Sequence, residues 1–109
     1  MRKAKVIYKN EWAGTLAQQD DGSFEFLYQE AWVNDSSKPS ISLTLPKQKE
    51  PFCSKYLFPF FYNMLPEGTN KQVVCYHLRI DEEDYFGILM ATAKSDVIGA
   101  VRIIKIEES

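Results

Sequence analysis

The amino-acid sequence predicts a single α+β domain: antiparallel strands in the N-terminal half, helices mainly in the C-terminal half, and a closing C-terminal strand. Three observations carry this. Phe24, Phe26 and Tyr28 alternate with Ser23, Glu25 and Leu27, the period of a half-buried strand. Leu57, Phe60, Phe61, Met64 and Leu65 follow the i, i+3, i+4, i+7, i+8 spacing of one helix face. Between Val97 and Ile106, apolar Val101, Ile103 and Ile106 are interspersed with Arg102 and Lys105, as in a final strand.

Size and composition agree with one such unit spanning 1–109. A chain of 109 residues buries roughly two-thirds of its unfolded surface, enough for a core without disulfide staples. Hydrophobic residues at 45% against 26% charged exclude a disordered or fibrous chain, and 14% aromatics supply bulky core material. The net charge of -2 offers no cationic field for a phosphate backbone, so nucleic acid is not an expected direct partner.

Element by element, Lys5-Val6-Ile7-Tyr8 is β-branched and aromatic, Asn10 and Gly14 punctuate it, and Thr15-Leu16-Ala17-Gln18 resumes before the hairpin signal Asp20-Asp21-Gly22. The alternating run Phe24–Tyr28 then completes an antiparallel meander. A polar loop, 34–39, precedes Ile41, Leu43 and Leu45 on one parity and Ser42 and Thr44 on the other, a strand ending at Pro46. The helix 57–65 stops at Pro66-Glu67-Gly68. A second helix, Gln72 to Ile80, reads as mostly buried, and Asp81-Glu82-Glu83-Asp84 supplies acidic first-turn residues for a third, running through Ala93.

Chemical motifs are scarce. Cys53 and Cys75 form no C-x-x-C pair and have only His77 as an imidazole neighbour, so they read as two buried thiols, with no metal assigned. Ser42 and Thr44 alternate with apolar residues and, with the single histidine elsewhere, make no triad. No G-x-G-x-x-G loop or H-R-D-type catalytic loop is present, so no nucleotide chemistry, cofactor or enzyme activity is expected. The start of the chain lacks the apolar stretch of a signal peptide and no segment approaches the roughly 20 apolar residues of a membrane helix. The cytoplasm is the expected compartment.

The segment Phe60-Phe61-Tyr62-Asn63-Met64-Leu65-Pro66-Glu67-Gly68 resembles the F-F-x-N-L-L-P-E-G signature of the HipA family's N-terminal domain. Ser42-Leu43-Thr44-Leu45-Pro46 looks like its S-L-S-L-P element, and Trp12-Ala13-Gly14-Thr15-Leu16 like its early G-x-L strand. Asp84-Tyr85-Phe86-Gly87-Ile88-Leu89 and Asp96-Val97-Ile98-Gly99-Ala100-Val101 resemble its D-x-F-x-L-L and D-x-x-G-A-V elements. Full-length members continue from there into a serine/threonine-kinase core, whereas this sequence stops at Ser109. That resembles HipS proteins, the separately encoded counterparts in HipB-HipS-HipT toxin-antitoxin systems. The resemblance implies an antitoxin that binds and neutralises a HipT-like toxin kinase, with a HipB-like DNA-binding protein as a further partner in a ternary complex. The alternative it leaves open is a non-catalytic N-terminal domain of a longer kinase.

On this reading the partner-binding candidates are Phe58, Tyr62, Asn63 and Glu67. At 100° per residue, Tyr62 lies off the centre of the apolar face, either as filler against a loop or as an exposed anchor. Asn63, Pro66, Glu67 and Gly68 form a binding loop or simply end the helix, with Gly68 suited to a positive φ.

Overall fold

The computed structural model describes residues 1–93 and 101–106. Its frame is a five-stranded, wholly antiparallel sheet: β1 (Arg2–Tyr8), β2 (Glu11–Gln18), β3 (Phe24–Tyr28), β4 (Phe52–Ser54) and β5 (Val101–Lys105), in the order β4-β3-β2-β1-β5. The β1–β2 turn places Lys9 and Asn10 at positive φ, 48° and 69°, the left-handed pair that a tight hairpin demands.

Register sets the core face. Ala4 lies opposite Leu16, Leu16 opposite Phe26, and Val6 opposite both Gly14 and Ile103, so all these residues point to one side. A side chain at Gly14 would meet the Leu27 carbonyl oxygen at 2.7 Å and the Phe26 ring at the same distance, which explains the glycine there.

Among the described residues four helices follow the meander: α1 (Glu30–Asn34), α2 (Pro59–Tyr62), α3 (Gly68–Leu78) and α4 (Tyr85–Thr92). Three of them reach the core face of the sheet through aromatic rings: Trp32 of α1 lies edge-on to Tyr8 at 5.7 Å, Phe61 of α2 packs on Phe26 at 5.6 Å, and Phe86 of α4 stacks with Phe24 at 6.3 Å. The result is a two-layer α+β fold whose first strand is sandwiched between the second and the last. Asp84 caps α4 by accepting the Gly87 N–H at 3.1 Å, and Arg2 grips the same carboxylate at 2.6 and 3.1 Å.

Several expectations need correction. Residues 41–45 form a tight turn rather than a strand: Ser42 pairs with Leu45, Ile41 and Leu45 are buried, and Leu43 is fully exposed. The cause is Tyr28, whose buried hydroxyl accepts the Ile41 N–H at 3.0 Å and donates to the Leu45 carbonyl, drawing the two ends together. The helix expected over 57–65 contracts to α2, because Pro59 starts it and its last bonds, Met64 N–H to Phe61 O and Leu65 N–H to Tyr62 O, already span three residues.

The helix read as mostly buried, α3, sends only Cys75 into the core, while Val73, Tyr76 and Leu78 are exposed. Cys53 sits exposed on the edge strand β4, which together with α1 was not anticipated. The expected last strand is described from Val101 onward. Its beginning at 97–100, and the Asp96–Ala100 part of the motif, lie outside the described residues.

Candidate functional site

The signature segment folds as one tight turn with two faces. Pro59 fixes the first helical φ, and the Phe58 carbonyl accepts the N–H groups of Phe61 and Tyr62, both at 2.9 Å. At spacings of three and four, Phe58, Phe61 and Leu65 turn inward and are buried. Tyr62 and Asn63 turn outward and are exposed.

Phe58 is therefore a core residue, its ring 6.3 Å from Phe61, and offers no free surface to a partner. Phe60, expected in the core, is only partly buried. Pro66 ends the turn, Glu67 takes an extended conformation as the N-cap of α3, and Gly68 follows with φ 55°. The positive φ expected of Gly68 is thus present, but it opens α3 as well as closing the preceding turn.

Asn63 borders a groove on one side, and Tyr62 borders two smaller hollows on the other. On one side, a groove of about 580 Å³ runs between the Ser42–Leu45 turn and α2, with Ser42 and Thr44 on one wall and Phe60, Asn63, Met64 and Pro66 on the other. Among the described residues lining it, none is ionisable. The Ser42 and Thr44 hydroxyls lie 2.9 Å apart, and Ser42 Oγ also accepts the Thr44 N–H at 3.2 Å, so this wall is held by its own bonds.

On the other side, Tyr62 stands perpendicular to Tyr85, ring centroids 5.7 Å apart. With Glu67, Gly68 and Lys71 they enclose a shallow hollow of about 230 Å³, the Lys71 ammonium lying 5.8 Å from the Tyr85 ring centre. The structure thus brings Tyr62 and Glu67 together, places Asn63 in the neighbouring groove, and removes Phe58 to the interior.

Sequence reasoning missed the groove's second wall and Tyr85. Read as the polar side of a strand, Ser42 and Thr44 carried no sign that they would face α2; Tyr85 was visible only as part of a helix start. Chemically this surface can bind but has little to react with. Among the described residues no three His, Cys, Asp or Glu side chains converge as a metal site. None of the described helices is long and apolar enough to cross a membrane.

Comparison with known proteins places these motifs in a family context. Residues 4–104 match the family described as the HipA N-terminal domain. An uncharacterized protein of Haemophilus influenzae is 36% identical over 103 residues, covering 94% of this chain and 92% of its own length. A protein of Sinorhizobium fredii described as "Putative kinase Y4mE" is 31% identical over 104 residues, 95% of this chain but 24% of its own length, so this chain spans about a quarter of that relative. Among solved structures, the N-terminal domain of HipA toxin superposes with a TM-score of 0.72 at 32% identity, covering 100% of this chain and 96% of that one.

Proposed function

The chain belongs to the HipA N-terminal domain family, and from that premise we propose that it is an antitoxin-type binding protein that neutralises a HipT- or HipA-like serine/threonine-kinase toxin. It acts by binding, without chemistry of its own, in the cytoplasm. A HipB-like DNA-binding protein joins the complex, which leaves this component without a nucleic-acid contact of its own.

The observation that carries the reading is the two-faced signature turn. Its inward side, Phe61 and Leu65, serves the core, whereas Tyr62 remains half exposed beside Tyr85 and Glu67. A rigid aromatic on a short, core-anchored turn is a favourable binding anchor, because little conformational freedom is lost when a partner covers it. We therefore place the kinase contact on Tyr62, Asn63 and Glu67, and leave Phe58 out of it.

The test is co-expression with a HipA-like kinase from the same genome, scoring growth and co-purification. Wild-type protein is expected to relieve toxicity and to co-purify. An anchor of about 2 kcal/mol corresponds to roughly thirtyfold in affinity, so Tyr62→Ala should weaken the complex by about that factor. Failure of the wild type to bind the kinase or restore growth overturns the reading, while undiminished binding by Tyr62→Ala overturns only the anchor.

The match to a quarter of Y4mE favours a second reading, in which this sequence is the non-catalytic N-terminal domain of a longer kinase. The mass of the native protein, detected in its own cells with an antibody to this domain, separates the two.

A further inference from the structure

The groove between the Ser42–Leu45 turn and α2 has a composition that defines its occupant. Its volume of about 580 Å³ is enough for at least one bulky side chain, and among the described residues its walls combine apolar Pro59, Phe60, Met64 and Pro66 with neutral polar groups. Lys71 and Glu67 lie in the adjoining hollow, flanking Tyr62 and Tyr85. A charged side chain entering the groove would lose water and meet no counter-charge among the described lining residues, whereas an apolar one would gain by burial.

A further feature selects a peptide over an isolated apolar molecule. Asn63 is exposed on the groove wall, and among the described residues no side-chain hydrogen bond engages its amide. A primary amide matches a peptide unit: its NH2 donates to a carbonyl oxygen while its own oxygen accepts an N–H. Ser42 and Thr44 use one of their two hydroxyl protons on each other, and Thr92 Oγ1 donates to the Ile88 carbonyl at 2.8 Å, so among the described lining side chains Asn63 is the one with both a donor and an acceptor open.

We propose that this groove binds an extended, uncharged segment of a protein partner, one bulky apolar side chain seated against Phe60 and Met64 and its backbone paired with the Asn63 amide. This rests on the kinase-binding reading only for the identity of the partner; the chemistry of the groove stands apart from it.

The test uses the whole 15N-labelled chain and four blocked tripeptides, N-acetylated and C-amidated: Ala-Leu-Ala, Ala-Phe-Ala, Ala-Glu-Ala and Ala-Lys-Ala. The Leu and Phe peptides should shift the Asn63 side-chain amide and the backbone signals of Thr44, Met64 and Thr92 saturably, with a Kd of roughly 10 mM, in the range that burial of a single side chain supports. The Glu and Lys peptides should bind at least about tenfold more weakly. Asn63→Asp and Thr44→Lys, one from each wall and both at exposed positions, should each abolish the Leu and Phe shifts while leaving the remaining spectrum folded.

No saturable shift, equal response to charged peptides, or shifts centred on Tyr62 and Tyr85 overturns the proposal. So does movement of the same groove signals on dilution without peptide, which would identify a second copy of the chain as the occupant. If the peptides fail to bind while the kinase binds wild type and Thr44→Lys equally, the groove inference fails and the kinase reading stands. Peptide binding without kinase binding supports the groove and sinks the kinase reading.

Discussion

Two neighbouring rings, Phe61 and Tyr62, illustrate how one turn divides its labour. Phe61 is completely buried against Phe26, Phe58 and Phe60, whereas Tyr62 is half exposed and meets Tyr85 edge-on. Phe61→Ala should therefore cost about 3–5 kcal/mol, a large share of a small domain's stability, and Tyr62→Ala well under about 1 kcal/mol; urea melts of the two variants measure the difference. Asp84 makes a different kind of prediction. The hydrogen bonds it accepts from Arg2 lower its pKa from the usual 3.8, against the opposing effect of partial burial. A carboxyl whose folded pKa is lowered contributes stability that is fully present above its unfolded pKa and is lost as pH falls through the folded value. Because Asn also caps helices well, Asp84→Asn keeps the bond to Gly87 and removes the charge pairing with Arg2. It should cost about 0.5–1 kcal/mol at neutral pH for a pair this exposed, and the gap to wild type should shrink as pH drops below 3.8 and close below the lowered value. A gap constant from pH 7 to pH 2 would show that the ion pair contributes nothing.

The elements that are exposed on one side and buried on the other were legible; those governed by distant partners were not. The alternation at Phe24, Phe26 and Tyr28 placed β3 and its buried side correctly, and the spacing of Phe61 and Leu65 found the inward face of the signature turn. The pattern failed at Ile41–Leu45, where alternation is identical to that of a strand and nothing local announces that Tyr28, 13 residues before Ile41, will tie both ends into a turn. It failed again at α3, whose apolar residues surround the helix instead of forming a stripe, so that density of apolar residues was mistaken for burial. The site was half readable for the same reason. The outward placement of Tyr62 followed from helix geometry, but the groove depends on a contact between two segments whose spacing says nothing about their meeting. Tyr28 thus controls the shape of that groove, and Tyr28→Phe tests it. Loss of the hydroxyl leaves the Ile41 N–H and the Leu45 carbonyl without their partner, at a cost of about 1–3 kcal/mol in urea melts. It should also shift the amide signals of Ser42, Leu43 and Thr44 while leaving β1 and β5 unaffected. Unchanged stability and an unchanged turn would show that the hydroxyl does not hold the groove wall.

At the scale of the whole molecule, the proposed binding surface is carried mainly by segments from the middle of the chain, while the sheet beneath them is closed by its far end. β1 is internal only because β5 pairs along it, Ala4 opposite Lys105 through Tyr8 opposite Val101, and Val101 and Ile103 complete the core under α4. The Ile103 N–H donates to the Ala93 carbonyl at 2.7 Å, so the last strand also fixes the end of the helix whose Thr92 lines the groove. A pairing this distant in sequence forms only after the chain has met a large loop-closure cost, which makes such topologies slow folders and makes the closing strand decisive for cooperativity. Ile103 is fully buried, so Ile103→Ala should cost about 2–5 kcal/mol. A chain ending at 100 would leave β1 as an unpaired edge above an open core. It should lose the cooperative melt altogether, along with the slowly exchanging amides of β1 and any response of Thr44 and Met64 to apolar peptides. A cooperative melt from that shortened chain, with the groove signals in place, would show that the first four strands and α4 hold the binding surface without the strand that closes the sheet.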